Sequence, residues 1–282
     1  MPLPPDFDLD DFVTRTLAED LGVGGDVTSN ATIPADARFI AEMNCREPIV
    51  VAGLKIAAAF FRSLDPDVTI EQAVADGDRA EAGTVLMRLS GKARAMLTAE
   101  RSALNTLQHL SGIATLTRRY VDTIAGTGAI LIDTRKTIPG LRTLEKYAVR
   151  MGGAHNHRMR LDDGVLIKDN HVAVCGGVAE AVRAARAADT GLQVQLEVDR
   201  IEQIEPALAA GADRLLLDNM PPPVLRQAVE LVAGRVPLEA SGGVRLETIR
   251  AIAETGVDFI SLGRITQSAP AVDIGLDFAL SR

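Results

Sequence analysis

Residues 194–243 read VQLEVDRIEQIEPALAAGADRLLLDNMPPPVLRQAVELVAGRVPLEASGG. Three short apolar runs in this stretch, Val194–Glu197, Arg214–Asp218 and Pro237–Ser241, each end in a polar residue and lead into a segment whose apolar residues fall at helical spacing. The same grammar recurs upstream at Ala129–Asp133 and Val165–Lys168, and downstream at Phe259–Gly263. Glu197, Asp218, Ser241 and Gly263 stand 21, 23 and 22 residues apart, which suits one strand, one helix and two loops. Strands alternating with helices predict right-handed parallel βαβ units. Six such units fit between residues 129 and 265, whereas a closed eight-fold barrel takes about 200 to 250 residues. The expected fold is therefore α/β: an incomplete β/α barrel of six or seven strands. A flat doubly wound sheet is the alternative, but the glycine-rich turn expected after its first strand is missing.

Ahead of the barrel, residues 1–111 read as an α+β domain. Asp8 or Asp10 can cap a helix that ends at Gly22, Ala37–Cys45 alternates as a strand does, and Thr84–Leu89 lies between Gly/Asp and Ser-Gly punctuation as in a hairpin. From Thr98 the apolar spacing turns helical over two expected helices, broken near Ser111-Gly112, and the domain junction is placed there. The barrel then covers 112–265, and the tail 266–282 is expected to pack back on the first domain.

The chain has 282 residues, 47% hydrophobic and 24% charged, enough to bury a sizeable core and unlike a disordered or collagenous chain. Its longest apolar stretch, Pro48–Phe61, is interrupted by Lys55 and too short for a membrane span. The acidic N-terminus lacks the features of a secretory or transit segment, and only Cys45 and Cys175 occur, so a reducing compartment, the cytoplasm, is expected. The net charge of −8 argues against nucleic acid. Its distribution is uneven: residues 94–168 hold twelve Lys/Arg against six Asp/Glu, and His109, His155, His157 and His171 lie in or just past this window. A cationic island in an acidic chain suggests a site for a small, multiply charged anion; solvated helix faces are the plainer alternative.

Polar strand ends of a barrel converge on one mouth. Here they are Asp133-Thr134-Arg135-Lys136, Lys168-Asp169-Asn170, Glu197, Asp218-Asn219, Ser241-Gly242-Gly243 and Gly263-Arg264: cations first, then carboxylates, then glycines. Ser241-Gly242-Gly243 precedes a helix expected near Leu246, where free N–H groups favour phosphate. Glu197 and Asp218 can share Mg²⁺ with phosphate oxygens; a salt bridge to Lys136 or Lys168 is the competing use. Arg135, Arg158 and Lys168, with His157, can clamp carboxylates. Lys168 stands out further because the chain has 25 Arg and only five Lys.

At these residues the chain resembles the quinolinate phosphoribosyltransferases. The likeness runs through AEDLGVGGDVTS, ERSALNTLQHLSGIAT, DTRKTIPGLR, EKYAVRMGGAHNHRMRLDDGVLIKDNH, QLEVD, LLLDNM, EASGGV and DFISLGRIT. It implies transfer of a 5-phosphoribosyl group from phosphoribosyl pyrophosphate to quinolinate with loss of CO2, in NAD synthesis, by a Mg²⁺-dependent homodimer or larger oligomer with shared sites. Residue by residue it implies Arg101, Thr134, Arg135, His157, Arg158 and Lys168 around quinolinate. Lys136, Glu197 and Asp218 would lie by ribose, pyrophosphate and Mg²⁺, and Ser241, Gly242, Gly243 and Gly263 at the 5-phosphate; Lys136, Lys168, Glu197 and Asp218 would be catalytic. Arg101, near the start of its helix, would serve a neighbouring subunit. The chain departs from the family pattern at Ala154 and Arg160, where Gly is common. Three rivals are a relative acting on another base (molybdenum-associated, or nicotinate itself), a Schiff-base aldolase using Lys168, and a lipoyl-type carrier with Lys92 near a hairpin turn.

Overall fold

In the computed structural model, which describes residues 3–280, the apolar runs become strands. The described strands are β1 (Arg38–Cys45), β2 (Ile49–Val50), β3 (Thr69–Gln72), β4 (Arg79–Ala80), β5 (Val85–Lys92), β6 (Ile130–Ile132), β7 (Val165–Ile167), β8 (Val194–Val198), β9 (Arg214–Asp218), β10 (Leu238–Ser241), β11 (Phe259–Ser261) and β12 (Ile274–Leu280). Contacts divide the chain into two units, each discontinuous in sequence. One comprises residues up to Arg118, Thr143–Gly153 and the segment from Ala269; the other comprises Arg119–Arg142 and Ala154–Ser268.

The second unit is built on six parallel strands in the order β6-β11-β10-β9-β8-β7. Chain neighbours from β7 to β11 are sheet neighbours, and β11 returns to β6. This is the strand order of a barrel left open between β6 and β7, as expected from the length. Leu215, Leu216 and Leu217 of β9 are all buried, the pattern of a parallel strand covered on both faces. Helices follow the strands, among them Pro222–Val232 and Leu246–Ala253, so the polar strand ends share one rim.

The first unit carries an antiparallel sheet in the order β12-β1-β5-β3. Asp8 caps the helix Leu9–Leu21, its carboxylate accepting from Asp11 N at 2.9 Å. The helix Leu54–Leu64 buries Ile56, Phe60 and Phe61, and its Leu54 N–H donates to Asp76 Oδ1 at 3.1 Å. Asp76 also accepts from the buried Tyr147 hydroxyl at 2.6 Å, and burial with that partner drives the phenol far above its ordinary pKa. Glu145, fully buried, pairs with His109 Nε2 at 2.9 Å.

Three expectations differ from the structure. The helix expected to break near Ser111-Gly112 runs unbroken from Ala93 to Thr123. Its buried residues recur at steps of three and four through Ala93, Met96, Ala99, Ala103, Leu107 and Leu110, a stripe that tertiary packing holds helical. Gly112 does not terminate the helix; a Cβ there would lie 2.1 Å from Pro270 O, so the glycine admits a close backbone approach. Arg101 accordingly sits in the third turn, exposed, and not near a helix start. Lys92 is at no hairpin turn: it ends β5, passes directly into the long helix, and lies 3.7 Å from the buried Asp65 carboxylate.

Candidate active site at the strand ends

Because β-strand side chains alternate, the residue ending a strand and the one two before it share a face. At this rim they enclose a cavity of about 580 Å³ lined by Thr134, Arg135, Lys136, His157, Arg158, Leu166, Lys168, Glu197, Leu216, Asp218, Asn219, Glu239, Ser241, Gly242, Gly243 and Ser261. An adjoining hollow of about 270 Å³ shares Thr134, Lys136 and Ser241–Gly243 and adds Gly263. Of the thirteen residues expected in the site, twelve line these two spaces; Arg101, in the first unit, lines neither. A groove of about 830 Å³ in the first unit is larger, but its Asp10, Lys55 and Arg62 surround no comparable convergence of polar groups. Convergence, more than size, marks a site.

The cationic side is held by backbone geometry. Asp133, ending the first barrel run and fully buried, accepts from Asn156 Nδ2 at 2.6 Å and His157 N at 2.8 Å, tying the 155–158 loop to the strand end. Arg158 Nη1 donates to Gly164 O at 2.7 Å. Burial, and next the neighbouring Arg135 charge, lower the Arg158 pKa, so two guanidiniums repel each other across the wall. Among the described residues no carboxylate lies within ion-pair distance of Arg135, Lys136 or Lys168. Lys168 is exposed and follows β7, its N–H donating to His171 Nδ1 at 2.9 Å.

On the opposite side Glu197 is held above its ordinary carboxylate pKa, first by burial and then by Asp218, with Lys168 and Lys136 pulling the other way. The competing salt-bridge use is thus not what the described residues show: these lysines act on Glu197 through space. Asp218 accepts from Asn219 Nδ2 at 2.7 Å.

The glycine-rich corner is fixed sterically. Asn219, itself at φ +55°, donates its N–H to Ser241 O at 2.9 Å. Gly242 has φ +88°, and a Cβ on it would fall 2.2 Å from Asn219 Oδ1; one on Gly263 would fall 2.6 Å from Lys136 Cδ. These glycines let two loops approach closely at the strand ends, just ahead of the helix Leu246–Ala253.

Both departures from the family pattern are accommodated. Ala154 is buried, and Arg160 pairs with Asp162 at 3.0 Å while its N–H donates to Asp163. Beneath the rim lies a layer not singled out from sequence. Glu239, fully buried, accepts from Gln195 Nε2 at 2.7 Å and meets Arg214 at 2.8 Å and His157 Nε2 at 3.5 Å. Burial pushes the Glu239 pKa up, but His157, Arg214 and Ser261 together bring it below the ordinary value. Strand alternation was the available signal: Gln195 and Glu239 stand two residues before Glu197 and Ser241.

Two family descriptions match the chain: "Quinolinate phosphoribosyl transferase, N-terminal domain" over residues 26–111 and the C-terminal domain over residues 113–277. The nicotinate-nucleotide pyrophosphorylase (carboxylating) of Mycobacterium leprae is 45% identical over 272 residues, covering 95% of this chain and 96% of that protein. A probable enzyme of the same name from Bacillus subtilis is 44% identical, covering 93% and 91%. The crystal structure of nicotinate-nucleotide pyrophosphorylase from Ehrlichia chaffeensis superposes with a TM-score of 0.93 at 40% identity, over 97% of this chain and 100% of that one.

Proposed function

The chain belongs to the quinolinate phosphoribosyl transferase family, and from that premise we propose how its strand-end residues carry the reaction. The enzyme is a decarboxylating pentosyltransferase of NAD synthesis: phosphoribosyl pyrophosphate and quinolinate give nicotinate mononucleotide, pyrophosphate and CO2. The observation that carries the site assignment is the pair Arg135 and Arg158, mutually repelling guanidiniums beside Lys168, with no carboxylate within ion-pair distance of Arg135 or Lys168 among the described residues. A dianion completes that arrangement. Quinolinate brings two adjacent carboxylates, which favours it over the single carboxylate of nicotinate.

In this reading Arg135, Arg158 and Lys168, with Thr134 and His157, orient the two carboxylates and offset their desolvation. The ring nitrogen is a weak nucleophile, so the anomeric carbon develops oxocarbenium character before the new bond is complete. Glu197 and Asp218 face that positive charge, and Lys136 faces the departing pyrophosphate. Ser241, Gly242, Gly243 and Gly263 hold the 5-phosphate. Once the ribosyl bond has formed, the ring nitrogen is a pyridinium whose positive charge stabilises the carbanion left on the adjacent carbon when its C–CO2 bond breaks, and that carbon then takes a proton from water in place of the departed CO2. Protein side chains need only keep that carboxylate in place.

Glu197 and Asp218 also fit Mg²⁺ held jointly with pyrophosphate. Among the described residues no group of three or more His, Cys, Asp or Glu can hold a metal by itself, and two carboxylates at one rim suit an ion that takes its remaining ligands from phosphate and water. When bound, Mg²⁺ supplies charge neutralisation for the pyrophosphate. Calorimetry should show weak Mg²⁺ binding to the free protein and much tighter binding with phosphoribosyl pyrophosphate present. Tight binding to free protein that Asp218→Asn leaves unchanged would contradict the assignment.

Arg101 completes a neighbouring subunit's site in this reading, making a homodimer the smallest active unit. Coexpression of Arg101→Ala with Lys168→Ala then restores roughly a quarter of wild-type sites by random pairing; mixed dimers without activity would refute it. The free thiols Cys45 and Cys175 suit the cytoplasm, and no described helix is long and apolar enough to cross a membrane. The direct test is whether purified protein, phosphoribosyl pyrophosphate and Mg²⁺ release CO2 from carboxyl-labelled quinolinate. No release, or equal turnover of nicotinate, would overturn the substrate assignment; a borohydride-trapped adduct at Lys168 would point to the aldolase instead.

A further inference from the structure

Glu239 lies at the cavity floor, and the reaction above gives it no part. Barrel interiors are ordinarily filled by branched apolar side chains, yet this layer holds Gln195, Arg214 and Glu239, with the Arg214 guanidinium 3.9 Å from the centre of the Phe259 ring. Arg214 balances the Glu239 charge, so what the layer offers the site is directional hydrogen bonding.

That bonding converges on His157. The Arg158 backbone N–H donates to His157 Nδ1 at 2.7 Å, so Nδ1 accepts and the ring proton sits on Nε2. Nε2 faces Gln195 Oε1 at 3.1 Å and Glu239 Oε2 at 3.5 Å. Gln195 is itself oriented, because its Nε2 donates to Glu239 Oε2 at 2.7 Å and its Oε1 is thereby turned toward the imidazole. A histidine's proton position is set by the partner of its other nitrogen, and here both nitrogens are engaged by the protein.

We propose that Glu239, acting through Gln195, is a positioning residue for quinolinate: it orients the Gln195 carbonyl that accepts from His157 Nε2 and so fixes the His157–Arg158 wall against which the substrate carboxylates dock. The proposal rests on the quinolinate reading of the site. Partners that orient a metal-ligating histidine in this way change affinity or activity on the order of 10- to 100-fold when removed, and the same order is expected for a histidine that lines a substrate wall.

The test combines ring-nitrogen NMR with kinetics. In the wild-type protein His157 should show a protonated Nε2 and a bare Nδ1, with or without substrate. Glu239→Gln leaves the Arg158 N–H on Nδ1, so the proton should stay on Nε2, but the Nε2 resonance should move from its wild-type position as the Gln195 acceptor is released, and the quinolinate KM should rise about 10-fold while the KM for phosphoribosyl pyrophosphate stays unchanged. The exchange Gln195→Glu with Glu239→Gln keeps one carboxylate and one carboxamide beside Nε2. It should recover both the wild-type Nε2 resonance and most of the quinolinate affinity.

A proton on Nδ1 in the wild-type protein overturns the proposal, and that measurement needs no variant to fold. So does an equal rise of both KM values, or an exchange variant as impaired as Glu239→Gln at equal thermal stability. Loss of quinolinate turnover as the native activity would sink the functional reading while leaving the tautomer result standing, so the two failures are distinguishable.

Discussion

In the first unit charge is closed on itself: the buried Glu145 holds His109, and the half-buried Asp76 takes hydrogen bonds from Tyr147 and from the Leu54 backbone. At the strand ends of the second unit the reverse holds. Arg135 and Arg158 repel one another, Glu197 and Asp218 repel one another, and Lys136 and Lys168 reach no carboxylate among the described residues. The charges of the first unit named here find their partners within the chain, whereas at the rim like charges are held side by side, an electrostatic cost that a ligand of opposite charge would relieve.

The contrast can be broken first at Arg158. Arg158→Ala should weaken quinolinate binding by about 4 kcal/mol, since a desolvated charge of the substrate loses its partner, and should largely spare phosphoribosyl pyrophosphate. Calorimetry with each substrate separately reads this, and equal losses would make Arg158 a structural charge after all. Next comes Glu145→Gln, which strips a buried pair of one member and should lower the unfolding free energy by about 3 kcal/mol. Denaturant titration checks it; the quinolinate affinity of the folded fraction should stay at the wild-type value.

The smallest effect is the one that sharpens the comparison most. Glu197 has its pKa raised above the ordinary 4.5 by burial and then by Asp218. A raised acid favours the folded state at low pH and ceases to do so as pH climbs through its folded-state pKa. Glu197→Gln should therefore stabilise the free protein at neutral pH by about 0.5 kcal/mol, after allowance for solvent screening, and this gain should vanish below pH 4.5. The same substitution should abolish most turnover. Thermal melts at several pH values decide it, and a neutral-pH loss of stability would mean that Glu197 is paired like Glu145.

The rim was legible in the sequence because a parallel strand advertises its end: an apolar run stops at a polar residue, and the 21- to 23-residue spacing repeats. That grammar located Glu197, Asp218 and Ser241 without any knowledge of the chemistry. Gln195 and Glu239 escaped because each sits inside a run read as apolar, where only strict alternation would have separated them. The long helix was misread because Ser111-Gly112 looks like punctuation, while the need for a glycine arises from Pro270, far away in sequence. The pairing of β1 with β12 likewise has no local signature, since register between distant strands is written in tertiary packing.

That pairing also bears on how the protein is made. Asn44 on β1 bonds Asp277 on β12 across 233 residues of chain. At about 5 to 20 residues per second of synthesis, β1 emerges roughly 12 to 47 seconds before the strand that covers its edge. During that interval Phe39, Ala41 and Met43 lie on a strand with one open flank, the situation that invites edge-to-edge association. In the second unit β7 to β11 each pair with the strand before or after them in the chain and can settle as each strand–helix pair appears, while β6 waits for β11. Nascent first units are thus the stage at which chaperones, low temperature or a slower ribosome would change the yield.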